Sequence, residues 1–345
     1  LRKRKFCSFL ATPSKNNDQQ RLLFLLLFWS PGGTSKSLLL NLNRNKETQK
    51  SPPNNRGIFV LDRFEMKKKK KLKIAIQGIA TSFHEVAAMT YFNEPIETVE
   101  CLSFHALCES LKNGKSDFAV MAIENSIAGS ILPNYFLLQE YHFSIIGEVY
   151  LPIHMHLLTL PGVSLKDIKT IESHPMAIRQ CTDFLHRLSG VEIRESDDTA
   201  LSAQKVKEKK LKDTAAIANE HAAKKFGLQI LEKRIETHKK NFTRFLILSK
   251  KKETPDETNK ASLCFEVANE VGSLADALMT FKDSGINLSK IQSIPIIGKP
   301  SEYSIHVDVE WKRRKNYDDA IRKVLRQVRN LNILGEYKKS KIEYK

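Results

Sequence analysis

Between residues 72 and 250 the chain repeats one pattern, a short apolar run, then a loop rich in polar groups, then a longer periodic stretch. Short runs with β-branched members read as buried strands, and the periodic stretches read as helices. Strands are predicted over residues 72–78, 116–123, 169–172, 191–195 and 214–219. Helices are predicted from Thr81 or Ser82 as cap, over 104–113, over 176–188 with Ser173 as cap and Pro175 in the first turn, after Asp197-Asp198-Thr199, and over 220–226 up to Gly227. Residues 141–150 and 151–160 read as a pair of strands divided at Pro152, which carry the chain into a second lobe. Polar residues after strands lie where open α/β sheets bind ligands. The expectation is two α/β lobes with a cleft between them.

Residues 241–248 read N-F-T-R-F-L-I-L, with Asn241, Thr243 and Arg244 ahead of a short buried strand from Phe245 to Leu248. An amide, a hydroxyl and a guanidinium can therefore be aimed at a ligand from the strand's mouth. Gln180 lies seven residues after Ser173, two helical turns on, and so shares its face.

The formal charge of +17 invites a nucleic-acid reading, so its location matters. Residues 1–71 hold 17 Lys/Arg against 4 Asp/Glu, and residues 72–345 hold 39 against 35, so the body carries only +4. No nucleic-acid partner is expected for such a body. Residues 1–71 are expected to be a leader rather than a domain, with Met66 as the natural start; an organellar transit peptide and a secretory signal are the alternatives. The unbroken apolar run 22–29 is too short to span a bilayer, and no membrane partner is expected. Cys7, Cys101, Cys108, Cys181 and Cys264 are scattered and lack C-x-x-C spacing, which argues against a zinc site or a disulfide framework and fits a reducing compartment. His84, His154 and His156 read as ordinary histidines, and Cys181 as a packed thiol.

Residues 251–260 are a charged linker, and the pattern then changes. Strands over 261–268, 288–297, 302–311 and 332–337, with helices over 273–284 and 316–328, give β-α-β-β-α-β, the ferredoxin-like arrangement.

Five stretches now align in order and spacing: Ile123-Glu124-Asn125-Ser126-Ile127-Ala128-Gly129-Ser130; Gly147-Glu148 with Leu151-Pro152-Ile153-His154; Ser173-His174-Pro175 with Gln180-Cys181; Asp198-Thr199-Ala200; and Asn241-x-Thr243-Arg244-Phe245. Through them residues 72–250 resemble prephenate dehydratase, and residues 261–337 resemble the ACT regulatory domain that follows it in that family. The resemblance implies a catalytic domain of two α/β lobes, like periplasmic binding proteins, that converts prephenate to phenylpyruvate with loss of carbon dioxide and water and without a cofactor. It implies catalytic roles for Thr243, Ser173, Gln180 and Asn125. Ser82, Ser126, His174, Thr199, Arg244 and Phe245 would contact substrate, with Arg244 either pairing a carboxylate or forming a structural ion pair behind the site. Glu124 is read as structural rather than as an acid catalyst. Gly272, Ser273, Leu274, Asn287 and Leu288 would bind the effector, L-phenylalanine. A cytoplasmic homodimer or homotetramer is implied, or a plastid protein if the leader is a transit peptide.

Two departures from the family pattern stand out. The loop after Gly78 lacks the family's Pro and second Gly, and an acid and an arginine are missing from Gln292-Ser293-Ile294-Pro295. Arogenate dehydratase and a non-catalytic small-acid sensor are the rival functions.

Overall fold

The computed structural model describes residues 71–342 except 254 and 256. The leader reading of residues 1–71 thus falls, apart from Lys71, outside the described residues. The described residues belong to one compact unit.

The first lobe runs β1 (Leu72–Gln77), α1 (Phe83–Phe92), β2 (Ile96–Cys101), α2 (Phe104–Lys112), β3 (Phe118–Asn125), β4 (Gly129–Ser130), α3 (Leu132–Tyr141) and β5 (Ser144–Pro152). The second lobe runs β6 (His156–Thr159), β7 (Thr170–Ser173), α4 (Pro175–Gln180), α5 (Thr182–Leu185), β8 (Glu192–Glu195), α6 (Thr199–Glu208), β9 (Thr214–Ala218), α7 (Glu220–Phe226) and β10 (Gln229–Glu232). The chain then returns to the first lobe as β11 (Phe242–Ser249). It ends as β12 (Lys260–Glu266), α8 (Ser273–Asp283), β13 (Asn287–Pro295), β14 (Tyr303–Glu310), α9 (Arg314–Val324) and β15 (Arg329–Tyr337). The fold is α/β throughout, and the last six elements follow the β-α-β-β-α-β order expected from the sequence.

Sheet one has the order β2-β1-β3-β11-β5, with β4 on β3; sheet two β10-β6-β9-β7-β8; sheet three β13-β14-β12-β15. In sheet one β1 pairs parallel with β2 and β3, whereas β11 lies antiparallel between β3 and β5. The returning segment is thus an eight-residue central strand, longer than the short run foreseen, and it begins at Phe242 rather than at Phe245. No element was foreseen for β2 or α3. β2 is half exposed, so its sequence lacks a clean alternation. α3 has Pro in its first turn and no side-chain cap. Pro152 does not divide a pair of strands but ends β5, an edge strand, where a missing N–H costs no ladder bond. The helix foreseen over 176–188 breaks at Cys181 into α4 and α5, and the Thr182 hydroxyl donates to the Arg179 carbonyl at the break (2.6 Å).

Alternation along the strands gives sheet one two buried faces. Ile74, Ile76, Val120, Ala122, Phe245 and Ile247 face α1 and the second lobe. Ala75, Ala119, Met121, Ile123, Leu246 and Leu248 face α2, α3 and the C-terminal unit, in one core with Cys264, Ile294, Leu334 and Tyr337. Sheet three packs α8 and α9 on its other side through Leu263, Phe265, Ala277, Phe281, Val307 and Trp311. The two sheets approach so closely that a Cβ on Gly335 of β15 would lie 2.0 Å from the Ile145 carbonyl oxygen of β5. Backbone cannot yield there as a flexible side chain would. Gly335→Ala is therefore expected to destabilise the protein by about 1–3 kcal/mol through forced separation of the sheets. A lowered urea midpoint checks this, and an unchanged midpoint would mean that the sheets slide freely.

Charged groups line the same junction. Arg244 on β11 is 2% exposed; its Nε donates to Glu148 (2.7 Å), its Nη1 to Asp308 and Glu124, and its Nη2 to the Tyr337 hydroxyl (3.0 Å). Lys260 Nζ donates to Glu148 (2.9 Å), and Lys290 pairs with Glu124. Burial pushes the Asp308 carboxyl up, but Arg244 and Lys260 outweigh it and hold that group below the usual carboxylate range. His306 lies edge-on to Tyr135 at 5.1 Å within hydrogen-bond distance of Gln139 Nε2 (2.9 Å), and burial lowers its pKa to about 4.

Candidate active site

Two connections join the lobes, Ile153–Met155 between β5 and β6, and residues 233–241 between β10 and β11. They are laced together: the Ile153 amide donates to the Asn241 carbonyl (2.8 Å), and the Met155 amide to the buried Glu236 carboxylate (3.0 Å). Across the opposite side of the opening, Asn219 Nδ2 donates to the Thr81 carbonyl (2.7 Å). Thr81 takes a left-handed backbone, φ 79°, a conformation that favours glycine over a β-branched residue.

A cavity of about 440 Å³ opens between these links. Thr243 and Phe245 reach it from β11, Ala122 and Asn125 from β3, Ser82 and His84 from α1 and its cap, Gln180 from α4, and His174, Asp198 and Thr199 from the second lobe. On β11 the parity of the strand sends Thr243 and Phe245 into the cavity. On β3 parity alone would not bring both Ala122 and Asn125 to one face, since they are three residues apart. A bulge resolves this: Arg244 pairs with Glu124 and Phe245 with Ala122, leaving Ile123 without an opposite residue.

Asn125, Gln180 and Asn241 form a closed ring of amides. Asn125 Nδ2 donates to Asn241 Oδ1 (2.7 Å), Asn241 Nδ2 to Gln180 Oε1 (2.8 Å), and Gln180 Nε2 to Asn125 Oδ1 (3.4 Å). The direction of the ring is fixed by the backbone, because Asn125 Oδ1 also accepts from the Ile127 and Ala128 amides (2.9 Å each) and so must be the oxygen. Asn125 Nδ2 also donates to the Thr243 hydroxyl oxygen (3.0 Å). That contact uses a lone pair of Thr243 and leaves its O–H free to donate into the cavity. Asn241, in the same motif as Thr243 but without an assigned role, is 1% exposed and holds both Asn125 and Gln180.

The other expected residues divide. Ser82 caps α1, accepting from the Glu85 amide, and lines the cavity. Thr199, His174 and Phe245 line it as well. Ser173 does not: it is fully buried and its hydroxyl donates to the Ile217 carbonyl (2.7 Å), while His174 takes the capping place foreseen for Ser173. Ser126 donates to the Lys240 carbonyl and accepts from the Phe242 amide (2.9 Å), fastening its loop to β11 outside the cavity. Arg244 is turned away by strand parity, so its expected pairing with a substrate carboxylate is corrected to a structural ion network behind the strand. Glu124 belongs to the same network. His84 was read as ordinary, yet it lines the cavity; only tertiary contact distinguishes it. Gly272, Ser273 and Leu274 start α8, and Asn287 and Leu288 start β13, all within the C-terminal unit.

Among the described residues no group of three His, Cys, Asp or Glu could hold a metal, and no helix is long and apolar enough to cross a membrane. Burial holds His84 neutral, with a pKa lowered to about 3, and His306 at about 4, against 6.5 for a free histidine. Below pH 6.5 the unfolded chain protonates both and the fold does not, so folding stability is expected to fall as pH drops from 6.5 towards 4. The slope is about 1.4 kcal/mol per pH unit for each histidine at its steepest. Urea unfolding at pH 7 and pH 5 checks this: the double variant H84Q/H306Q should lose less stability than the wild type over that range, and equal losses would contradict it.

The fold and cavity define a two-lobed α/β protein with a cleft of a size for a small ligand, lined by amides, hydroxyls and the Asp197 and Asp198 carboxylates. Similarity to known proteins then gives the family. The chain belongs to the prephenate dehydratase family, whose sequence model matches residues 74–253. A bifunctional chorismate mutase/prephenate dehydratase of Enterobacter agglomerans is 32% identical over 271 residues, 77% of this chain and 70% of that protein. Arogenate dehydratase/prephenate dehydratase 1 of Arabidopsis thaliana, described as chloroplastic, is 40% identical over 232 residues, 67% of this chain and 59% of its own length. Among solved structures, the prephenate dehydratase of Arthrobacter aurescens in complex with L-Phe superposes with a TM-score of 0.70 at 26% identity, covering 78% of this chain and 90% of that one. A protein described as a novel type of quorum quenching acylase superposes equally well, TM-score 0.70 at 30% identity, covering 78% of this chain and 98% of its own.

Proposed function

We propose that this chain is a prephenate dehydratase, a carbon–oxygen lyase of aromatic amino acid biosynthesis that turns prephenate into phenylpyruvate, carbon dioxide and water. The observation that carries the proposal is the Thr243 hydroxyl, held by Asn125 with its own proton free, in the cavity between the lobes. The bond from the ring to its carboxylate breaks, the electron pair enters the ring, and the carbon–oxygen bond to the hydroxyl breaks at the opposite end as the ring becomes aromatic. Hydroxide leaves poorly unless it receives a hydrogen bond or a proton. Thr243 supplies the hydrogen bond to the departing oxygen, and solvent replaces any proton relayed through it. Asn125, Gln180 and Asn241 hold that geometry without adding charge. Ser82, His174, Thr199 and Phe245 complete the substrate surface, and Ser173 and Ser126 support it from outside the cavity. The low-dielectric pocket raises the energy of the carboxylate that is lost and so favours its departure.

The acylase likeness offers a second chemistry at the same fold. The hydrogen bond at the Thr243 oxygen comes from an amide, not from a base that could take its proton, which favours the dehydratase over acyl transfer. Arogenate is the alternative substrate, and the bifunctional name of the Arabidopsis relative supports testing both. The experiment incubates purified protein with prephenate or arogenate and quantifies carbon dioxide together with phenylpyruvate or phenylalanine. Prephenate turnover is expected. Turnover of arogenate alone would reassign the substrate, and turnover of neither would overturn the enzyme reading.

Residues 72–250 are the proposed catalytic domain, 251–260 the linker, and 261–345 an ACT regulatory domain. Gly272 supports the last of these, since its φ of +89° at the start of α8 suits glycine, and Ser273, Leu274, Asn287 and Leu288 complete the proposed L-phenylalanine site. The altered Gln292-Ser293-Ile294-Pro295 stretch weakens any ion pair in that site. Partly exposed Met279 and Ile291, the latter on edge strand β13, favour a homodimer or homotetramer. The proposed compartment is the cytoplasm, or a plastid if residues 1–71 are a transit peptide.

A further inference from the structure

Asp197 and Asp198 bring carboxylates to the wall of the cavity, and among the described residues no Lys or Arg lines it. The surroundings on that side are acidic as well, with Glu195 acting on His174 and Glu100 of the first lobe acting on Asp198. The two imidazoles of the cavity do not offset this charge. His174 Nδ1 accepts from the Met176 amide (3.2 Å), so the neutral ring carries its proton on Nε2, and a second proton on Nδ1 would break that cap. Burial lowers the His174 pKa in spite of the carboxylates beside it. His84 is held neutral by burial, and its Nε2 is sealed away without a hydrogen-bond partner.

The two oxygens of Asp198 stand differently. Oδ1 caps α6, accepting from the Ala200 and Leu201 amides (2.8 and 3.0 Å). Oδ2 has no hydrogen-bond partner among the described residues and, unlike His84 Nε2, is not sealed away. It lies at the seam with the first lobe, where a Cβ on Gly78 would come within 2.6 Å of it, so glycine at that position makes room for it. Burial raises the Asp198 pKa although two cap N–H groups favour the charged form, as expected of a carboxylate that lacks a cation.

Prephenate carries two carboxylates and no positive group. Arogenate carries the same two carboxylates and an ammonium. A cleft walled by carboxylates without a cation repels the first compound more than the second. A space of about 440 Å³ is about as wide as the screening length at physiological salt, so salt does not hide either aspartate from a ligand within it. An ammonium also gives the unpaired Oδ2 a charge-assisted hydrogen bond, which a keto oxygen cannot do.

We propose that Asp198 is a specificity-determining residue of the cleft, whose carboxylate accepts the ammonium of an aminated substrate and makes arogenate the better bound of two compounds turned over by the same Thr243 chemistry. This rests on the dehydratase reading, and prephenate remains a substrate.

The test compares wild type with D198N and D198S. D198N keeps an Oδ1 that caps α6, Asn being as good a cap as Asp, and puts a donor in place of Oδ2. D198S keeps a capping oxygen and removes the group from the seam. Steady-state kinetics is measured with prephenate and with arogenate, and thermal midpoints are recorded. In the wild type kcat/KM is expected to be about 10-fold or more higher for arogenate, the size of one hydrogen bond to a charged group. In both variants that preference should fall about 10-fold, through a raised KM for arogenate, while KM for prephenate stays within twofold or falls. A residue that only caps its helix would change both compounds alike. Equal changes for the two, a preference within twofold of wild type in whichever variant folds, or a wild type that favours prephenate would overturn the proposal. Calorimetric titration separates this outcome from failure of the function itself. If the wild type turns over neither compound, the dehydratase reading fails, and Asp198 is judged on the ratio of the two dissociation constants in wild type and D198N. An unchanged ratio, or no binding of either compound to the wild type, would overturn the role of Asp198 as well.

Discussion

Thr243→Ala is expected to lower kcat for prephenate by about 10²–10⁴-fold, the range for loss of one positioned proton donor, with KM changed only a few-fold. The split follows from the geometry. The hydroxyl acts on an oxygen whose charge grows as the carbon–oxygen bond breaks, so its interaction strengthens in the transition state and is weak before it. Folding should be nearly unaffected, because Thr243 is half-buried and the amide ring of Asn125, Asn241 and Gln180 closes without it. Steady-state kinetics with thermal melting checks both effects. A variant with near-normal kcat would remove Thr243 from the chemistry, and a KM increase at unchanged kcat would make it a binding residue alone.

Arg244→Leu is expected to do the reverse. It strands the Glu148 and Asp308 carboxylates at a nearly dry junction; Glu148 retains Lys260, and Asp308 retains the Ser262 hydroxyl. Removing one partner from a buried ion network costs about 3–5 kcal/mol, so the thermal midpoint should fall by roughly 10 °C for a chain of this size. KM for prephenate should stay near the wild-type value in protein that remains folded, because the guanidinium points away from the cavity. R244L/D308L should regain some of the stability, since the second change removes one stranded charge. A large KM rise without loss of stability would return Arg244 to the substrate. The same network joins the strand that carries Thr243 to the C-terminal sheet, through Asp308 and Tyr337. Any signal from that sheet to the cleft has a short physical route here.

Much of this was legible because strands and helix starts are local. Asn125 was marked by its place after an apolar run, Thr243 by its place ahead of one and Gln180 by its helical spacing from Ser173, and the structure brings all three to one cavity. Hydroxyl and carboxylate caps marked Ser82 and Asp198, which do cap α1 and α6. Other features depended on partners far away in the chain. Ser173 and His174 are adjacent, and nothing local says that the first will bond the Ile217 carbonyl while the second caps the helix and faces the cleft. The break at Cys181 leaves no glycine or proline at the site to announce it. Arg244 looked like the most chemical member of its cluster because a guanidinium suits a carboxylate. The carboxylates it meets belong to β5, β3 and β14 of its own chain.

The sequence by itself determined the alternation of strands and helices and the family; that β11 begins at Phe242, so that Thr243 and Phe245 share a face and Arg244 takes the other, came only with the structure. Only the tertiary structure decided which face is the cleft. The bulge at Ile123, which carries Asn125 to the side of Thr243, exists because β3 is paired with a strand that arrives 118 residues later in the Asn125–Thr243 contact. The orphaned nitrogen of His84 has the same origin. Whether a buried polar group is satisfied is a property of the atoms packed around it, and those come from Phe104 and Phe245, on elements that the sequence near His84 does not contain.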